Sequence, residues 1–215
     1  LNTDYERFGG RANVNYKISN NVRSGANLSF AHSKKKFLDM GTISSDKNIM
    51  YRIFNLEPWK DTEGNDVFGT KDRRPGVFDE MQGAQLFQKY NTFYGSVFAE
   101  VDILPTLTMR GQYTYGYDHL KTQKCYDRST TIGNSYNGQA IVGHEETTKH
   151  QVEGVLTWNQ NCGEIRDVKV IGGTSYIFQK GEGREVQAYG FASDVFSYKN
   201  LGAAERHDVS GSGEP

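Results

Sequence analysis

The sequence predicts an all-β protein, an antiparallel up-and-down sheet of about six long strands in three hairpins. The first observation is the composition. The 215 residues include 24 Gly, 13 Tyr and 12 Phe but only 4 Pro, and aromatic residues favour strands whereas glycine is unfavourable inside helices. The second is the alternation of apolar and polar residues through six segments, which is typical of strands with one apolar face. The third is the length of the connections, which are alternately short and long.

The first hairpin shows the alternation most clearly. From Arg11 to Ile18 every even position is apolar and every odd position is polar, and residues 19–21 then have a turn composition. Two further hairpins follow the same pattern around Pro105 and Gly163. The predicted strands lie near residues 11–19, 22–32, 92–104, 107–118, 149–159 and 168–179. Their length of about ten residues suits a tilted strand that crosses a bilayer.

The connections predict which ends of the strands lie together. The long ones span residues 33–91, 119–148 and 180–215, and the short ones join the two strands of each hairpin. Because successive turns of an up-and-down sheet lie at opposite ends, all short turns fall on one rim and all long loops on the other. This asymmetry is typical of outer-membrane barrels, which have short periplasmic turns and long extracellular loops.

The two faces of the predicted strands differ in chemistry. The apolar face has aromatic residues at both ends, such as Tyr16 and Trp158 near the short turns and Phe30 near the long loops, as expected of rings at the two headgroup levels. The opposite face carries charges, including Glu100 and Arg110, which require water or polar partners. These features predict a transmembrane β-barrel segment whose apolar face meets lipid and whose polar face lines a hydrated lumen.

Several functional classes find no support in the sequence. A net charge of −1 with interspersed signs gives no basis for nucleic-acid binding. The spacing of Cys125 and Cys162 fits neither a zinc nor a redox motif, and the five histidines form no metalloprotease pair. We therefore expect no enzyme activity, cofactor or metal. Two alternatives stay open: a soluble secreted β-sandwich that binds carbohydrate, and an outer-membrane β-barrel hydrolase.

Three stretches carry a family resemblance. They are residues 2–7 with 11–18 and 24–29, then residues 153–159 leading through a polar turn to 168–173, and finally residues 190–194 with 198–204. Together they resemble consecutive barrel hairpins of the SusC/RagA-type TonB-dependent outer-membrane transporters, the nutrient-uptake barrels typical of the Bacteroidetes.

The resemblance implies several properties. Barrels of this kind have about 22 strands, so residues 1–215 would be an internal part of the barrel domain, with the plug domain and the TonB-contacting segment absent. It also implies an outer-membrane location, import of oligosaccharides or peptides, energy from the TonB system, and a SusD-like surface lipoprotein as partner. Residues 207–215 have a Gly/Ser-rich composition that predicts a loop or linker.

The candidate contact residues lie in the predicted long loops. Exposed aromatic rings can stack on sugar faces, and basic side chains can meet an acidic ligand or partner; packing within the loops is the alternative for both groups. The candidates are Trp59, Phe68, Arg73, Arg74, Tyr90 and Tyr136. Residues 45–56 predict a short helix, and the segment 59–66 predicts a hairpin tip in preference to a calcium loop, because its carboxylates do not have EF-hand spacing.

Overall fold

The computed structural model of the chain describes residues 3–37, 77–161 and 167–213. They form one antiparallel sheet of seven strands, in which every strand pairs with its neighbours along the chain. The strands are β1 (Asp4–Lys17), β2 (Val22–Phe37), β3 (Ala84–Leu104), β4 (Leu107–Tyr126), β5 (Gln139–Asn161), β6 (Asp167–Phe191) and β7 (Ala204–Gly213). The predicted all-β, up-and-down architecture is confirmed, with one strand more than expected.

Helical structure is minor and lies near the outer ends of the strands. Helix α1 (Val77–Gly83) leads into β3, helix α2 (Thr131–Tyr136) lies between β4 and β5, and two 3-10 turns precede β7. Helix α2 begins where the Thr130 hydroxyl accepts a hydrogen bond from the Gly133 amide and ends at Asn137 in the left-handed conformation. Among the described residues, no helix is long and apolar enough to cross a membrane.

The two faces of the sheet have the predicted chemistry. On the apolar face Val14, Leu28, Val101 and Leu156 are 62%, 48%, 37% and 48% exposed. On the polar face the side chain of Glu100 is 24% exposed. We call the apolar face convex and the polar face concave, after the outer and inner faces of a barrel wall. The described residues form one sheet with no second sheet facing it, which does not favour the alternative of a soluble β-sandwich.

The strands continue well beyond their predicted ends, which corrects the expected loop boundaries. Parts of all three predicted long loops, 33–91, 119–148 and 180–215, are strand in the structure. These parts are residues 33–37, 84–91, 119–126, 139–148, 180–191 and 204–213. The prediction failed there because both faces of the extensions carry polar residues, so that alternation is lost although the backbone ladder continues.

Strand β7 was predicted to be a loop or linker. Its Gly/Ser-rich sequence has a single large apolar residue, Val209, which lies opposite Val186 of β6. A strand edge offers a row of unpaired backbone groups to any neighbouring segment, and β7 pairs with the outer half of β6 from Phe191 to Glu182. Backbone pairing thus forms this strand without an apolar pattern. The predicted helix 45–56 and hairpin tip 59–66 lie outside the described residues.

The buried side chains lie at the outer end of the sheet, on both of its faces. On the concave side Ala84, Leu86 and Tyr126 pack with Ile132 of α2. On the convex side Ala140, Ala188 and Phe191 pack against the two 3-10 turns through Tyr198, Leu201 and Ala203. The outer end of the sheet is thus a small folded unit covered on both faces.

Candidate functional site

The concave face brings charged residues of three strands together. Strand pairing aligns Arg23 of β2 with Glu100 of β3, and Glu100 in turn with Arg110 of β4. Because residues directly opposite each other point to the same face, their side chains form one row across the sheet. The alternation that predicted a hydrated lumen therefore concentrates charge on this face.

An ion-pair network lies on the concave face near the short turns. The Arg23 guanidinium Nη2 donates to both Asp102 carboxylate oxygens at 2.7 and 2.9 Å and lies 2.9 Å from Glu100 Oε1. Arg110 lies 3.9 Å from Glu100, and its guanidinium carbon lies 4.2 Å from the centre of the Phe98 ring. These side chains are partly exposed, so each ion pair alone contributes little to stability. Several charges linked in one network can contribute more than isolated pairs.

Two open grooves run along this face. The first, of about 590 Å³, includes the ion-pair network, and its lining residues are Asn15, Tyr16, Lys17, Arg23, Ser24, Asn27, Phe98, Glu100 and Arg110. The second, of about 430 Å³, is lined by Arg11, Asn13, Asn27, Leu28, Ser29, Tyr94, Gly95, Ser96, Gln112 and Thr114. Both present mixed donors and acceptors, which suits polar oligomers better than apolar ligands.

The first groove depends on a close approach at Gly25. A Cβ atom at this position would lie 2.6 Å from Cε1 of Phe98 and 2.6 Å from Oδ1 of Asn15. Only glycine leaves room for the Phe98 ring at this position. The ring can then lie beneath Arg110, where a cation–π contact forms.

Two tyrosines share one carboxylate farther from the short turns. Tyr90 and Tyr94 donate hydrogen bonds to Asp118 Oδ1 and Oδ2 at 2.9 and 2.8 Å, and they are 42% and 40% exposed. The pKa of Tyr90 is raised from its usual value: a hydrogen bond with Thr92 acts to lower it, but burial and the Asp118 carboxylate outweigh that effect. The pair presents exposed ring faces beside a fixed negative charge.

The structure places two of the six predicted contact residues. Tyr90 lies on the concave face with Asp118, whereas Tyr136 ends helix α2, with its ring 5.0 Å from that of Tyr189, so that the two tyrosines have different partners. The other four, Trp59, Phe68, Arg73 and Arg74, lie outside the described residues. Sequence reasoning missed Tyr94, although counting alternate positions back from Glu100 places it on the polar face.

A metal site finds no basis in the part of the chain that the structure describes. No group of three or more His, Cys, Asp or Glu residues is placed there to hold a metal ion. The histidine pair on the convex face, His119 and His144, has a ring-nitrogen separation of 3.4 Å but no third ligand of that kind.

Comparison with known proteins gives one curated relative and several structural neighbours. No family model matches the chain. It is 25% identical over 217 residues to "TonB-dependent receptor P3" of Formosa agariphila, a match that covers 94% of this chain and 21% of that protein. The chain thus spans about a fifth of the length of this relative.

The solved structures agree on the fold. The RagAB peptide transporter superposes with a TM-score of 0.70 at 17% identity, covering 97% of this chain and 25% of that one. The RagAB peptide importer in its open-open state gives 0.69 at 16% identity, covering 97% and 24%. The siderophore receptor PiuA from Acinetobacter baumannii gives 0.51 at 16% identity, covering 99% and 31%. At these identities the neighbours establish the architecture of the sheet.

Proposed function

We propose that this chain is a barrel segment of a SusC/RagA-type TonB-dependent transporter of the outer membrane, because it is similar to a TonB-dependent receptor and shares the fold of the RagAB peptide transporter. In this role it would form part of the wall through which a parent protein imports oligosaccharides or peptides. The concave face would line the lumen or contact a plug domain, and the convex face would meet outer-membrane lipid. The related proteins are named as receptors and transporters, so the hydrolase alternative gains no support from them.

The observation that carries this proposal is the contrast between the two faces. Leu28 and Leu156 lie on the convex face, about half exposed, and burying such side chains in lipid recovers the free energy that water contact costs them. Arg23, Glu100 and Asp102 form their network on the concave face, where a hydrated interior keeps charged groups solvated. A transport wall needs both surfaces at once.

The second groove and the tyrosine beside it support the proposed substrate class. Tyr94 in the groove and Tyr90, which shares Asp118 with it, offer ring faces on which sugar rings or peptide side chains can stack. Asn27 and Ser96, which are 3.2 Å apart, offer nearby amide and hydroxyl groups. Oligosaccharides and peptides both combine apolar patches with many hydrogen-bonding groups. The structural neighbour RagAB is described as a peptide transporter, which supports peptides as one of the two proposed substrate classes.

The partners of the parent protein are also proposals. A SusD-like surface lipoprotein would contact the outer end of the sheet. Leu86 and Phe191 belong to buried clusters on opposite faces there, so this end is well packed and offers an ordered surface to a partner. The TonB system would act through parts of the parent protein outside this chain. No covalent step and no cofactor are needed for such transport.

Uptake by cells that express the parent protein tests the proposal. We expect Tyr94→Ala and Asp118→Ala to reduce uptake of a labelled oligosaccharide or peptide severalfold, because they remove the ring faces or their anchor. Tyr113→Ala is the control, since Tyr113 lies on the convex face and is 40% exposed. Equal uptake by all three variants and the unaltered protein, at equal surface abundance, would contradict the assignment of this wall to the substrate path.

A further inference from the structure

The convex face carries a row of basic residues that the transport proposal does not use. Strand pairing places Lys34 opposite Lys89, Lys89 opposite Lys121, Lys121 opposite His144 and His144 opposite Arg184. The five residues therefore lie side by side on one face across β2 to β6. We call this row the basic strip.

The basic strip lies just beyond the apolar band. Lys34, Lys89 and Lys121 each lie four positions from an aromatic residue on the same face, on the side away from the short turns, and these aromatic residues are Phe30, Phe93 and Tyr117. Four residues of a strand tilted by about 45° rise about 9 Å. The polar layer on each side of a bilayer is about 5 to 8 Å thick, and a lysine can bend its flexible stem toward it. The strip is thus at headgroup level.

The lysines of the strip make no ion pair with the other described residues. In the described part of the chain none of the three has a carboxylate within ion-pair distance, although Glu6 of β1 lies opposite Lys34 in the register. Two other carboxylates on this face already have basic partners: Glu182 lies 2.7 Å from Lys180, and Glu146 lies 4.0 Å from His119. Lys34 and Lys89 are exposed, whereas Lys121 is half-buried.

Such a row is unfavourable by itself. Like charges directly opposite each other on paired strands repel and destabilise the sheet. A further sign of positive potential is the pKa of His144, which is lowered by burial and then by the charges of Lys121 and His119. An anion bound along the row would remove this repulsion.

We propose that the basic strip binds the phosphate groups of anionic lipids in the outer leaflet of the membrane. Phosphate offers several acceptor oxygens to lysine and arginine donors. Arg184 lies 3.9 Å from Glu182 but is 82% exposed at its side chain, so its guanidinium can also turn toward a headgroup. The lipid is favoured over a soluble anion because the row lies directly above the lipid-facing aromatic residues. This inference rests on the membrane orientation, and its test does not depend on which substrate is carried.

The test measures the affinity of the detergent-purified parent protein for fluorescent phosphatidic acid, with labelled phosphatidylcholine as the uncharged reference. The variant is K34Q/K89Q/K121Q. The matched control is K35Q/K124Q/K149Q. It removes three lysines from the concave face, one each on β2, β4 and β5. Near an anionic surface each lysine strengthens binding about fivefold, so we expect the first variant to bind phosphatidic acid on the order of 100-fold more weakly and the control to stay within about twofold.

Several results would overturn the proposal. They are an unchanged affinity in the first variant, equal losses in both variants, or binding of inorganic phosphate as tight as that of the lipid. A strip that instead held an acidic protein, with lipid affinity unaffected by the substitutions, would also overturn it. If the triple variant does not fold, the unaltered protein still decides the question: its affinity for phosphatidic acid must fall as salt rises, and a salt-independent affinity would count against the strip. Loss of lipid binding with normal substrate uptake separates this inference from the transport proposal.

Discussion

The ring of Tyr94 lies across Gly116 of the neighbouring strand. The two residues are paired in the register, and a Cβ atom at Gly116 would lie 2.7 Å from Cε1 of Tyr94. The absence of a side chain at Gly116 therefore lets the ring lie flat on the concave face and reach Asp118 at 2.8 Å. One glycine thus positions the tyrosine that we place in the substrate path.

Replacing Gly116 tests this relationship. We expect Gly116→Ala to displace the Tyr94 ring, break its hydrogen bond to Asp118 and lower the free energy of unfolding by about 1 to 3 kcal/mol, as overpacking does. Chemical unfolding of the parent protein in lipid vesicles measures the change. Gly111→Ala on the same strand is the control, because a Cβ there would meet nothing within 4 Å. Equal stability of the two variants would contradict the close-packing argument.

The orientation of the sheet gives a second prediction. Leu156 lies on the convex face and Thr157, its neighbour, on the concave face. We expect Leu156→Arg to make folding into a bilayer less favourable by about 1 to 2 kcal/mol, because Leu156 lies on the lipid face two residues inside Trp158, between the interface and the midplane, where the cost of an arginine is greatest. Thr157→Arg points to the hydrated side and is expected to have a much smaller effect. Folding yields in vesicles, followed by the gel shift of folded barrels, compare the two. If Thr157→Arg were the more harmful change, the assignment of the faces would be reversed.

The ion-pair network predicts a specific coupling. Arg23→Gln leaves Glu100 and Asp102 on one face without their shared cation, so we expect a loss of about 1 kcal/mol at low salt, the upper range for exposed pairs. Asp102→Asn in the same protein should recover part of this loss, because it removes one of the two repelling charges. Lys17→Gln is the charge-matched control on the same row. Strictly additive effects of the Arg23 and Asp102 substitutions in a double-mutant cycle would exclude the interaction.

The titration of His144 gives a fourth prediction. Burial, together with the charges of Lys121 and His119, lowers its pKa from the usual value near 6.5. Because the folded state then holds this proton less tightly than the unfolded state, the contribution of His144 to stability falls as the pH drops through 6.5 and below. Resonance shifts of a labelled His144 against pH should show a midpoint below 6.5. Lys121→Gln should raise the midpoint, whereas Lys124→Gln, on the opposite face of β4, should leave it in place; the reverse pattern would refute the assigned cause.

The sequence predicted the fold where lipid and water impose a pattern. Val14 and Leu28 lie on the convex face as alternation required, and Glu100 lies on the concave one. Prediction failed where that constraint ends. Residues 119–126 continue β4, and the Gly/Ser-rich β7 pairs with β6, yet neither segment separates an apolar from a polar face. Backbone pairing alone carries these extensions, and it leaves no signature in side-chain chemistry.

The candidate site was predictable only in part, for a similar reason. Arg23, Glu100 and Arg110 could be assigned to the polar face by counting. Their meeting across three strands depends on the register, which a one-residue slip would change. Tyr94 and Asp118 meet because Gly116 makes room on the intervening position, and a glycine in a strand does not by itself indicate which ring will cover it.

The length of the paired hairpin β4–β5 has a mechanical consequence. Its ladder runs without a break from Leu107 opposite Trp158 to Tyr126 opposite Gln139, and β4 alone has 20 residues, whereas a tilted strand needs about 10 to cross a bilayer. In the proposed membrane orientation, about half of this hairpin would extend beyond the bilayer. Because the hydrogen-bonded ladder is continuous, a force applied at the outer end of the hairpin would be transmitted along both strands to the short turns, which a flexible loop of the same length would not do.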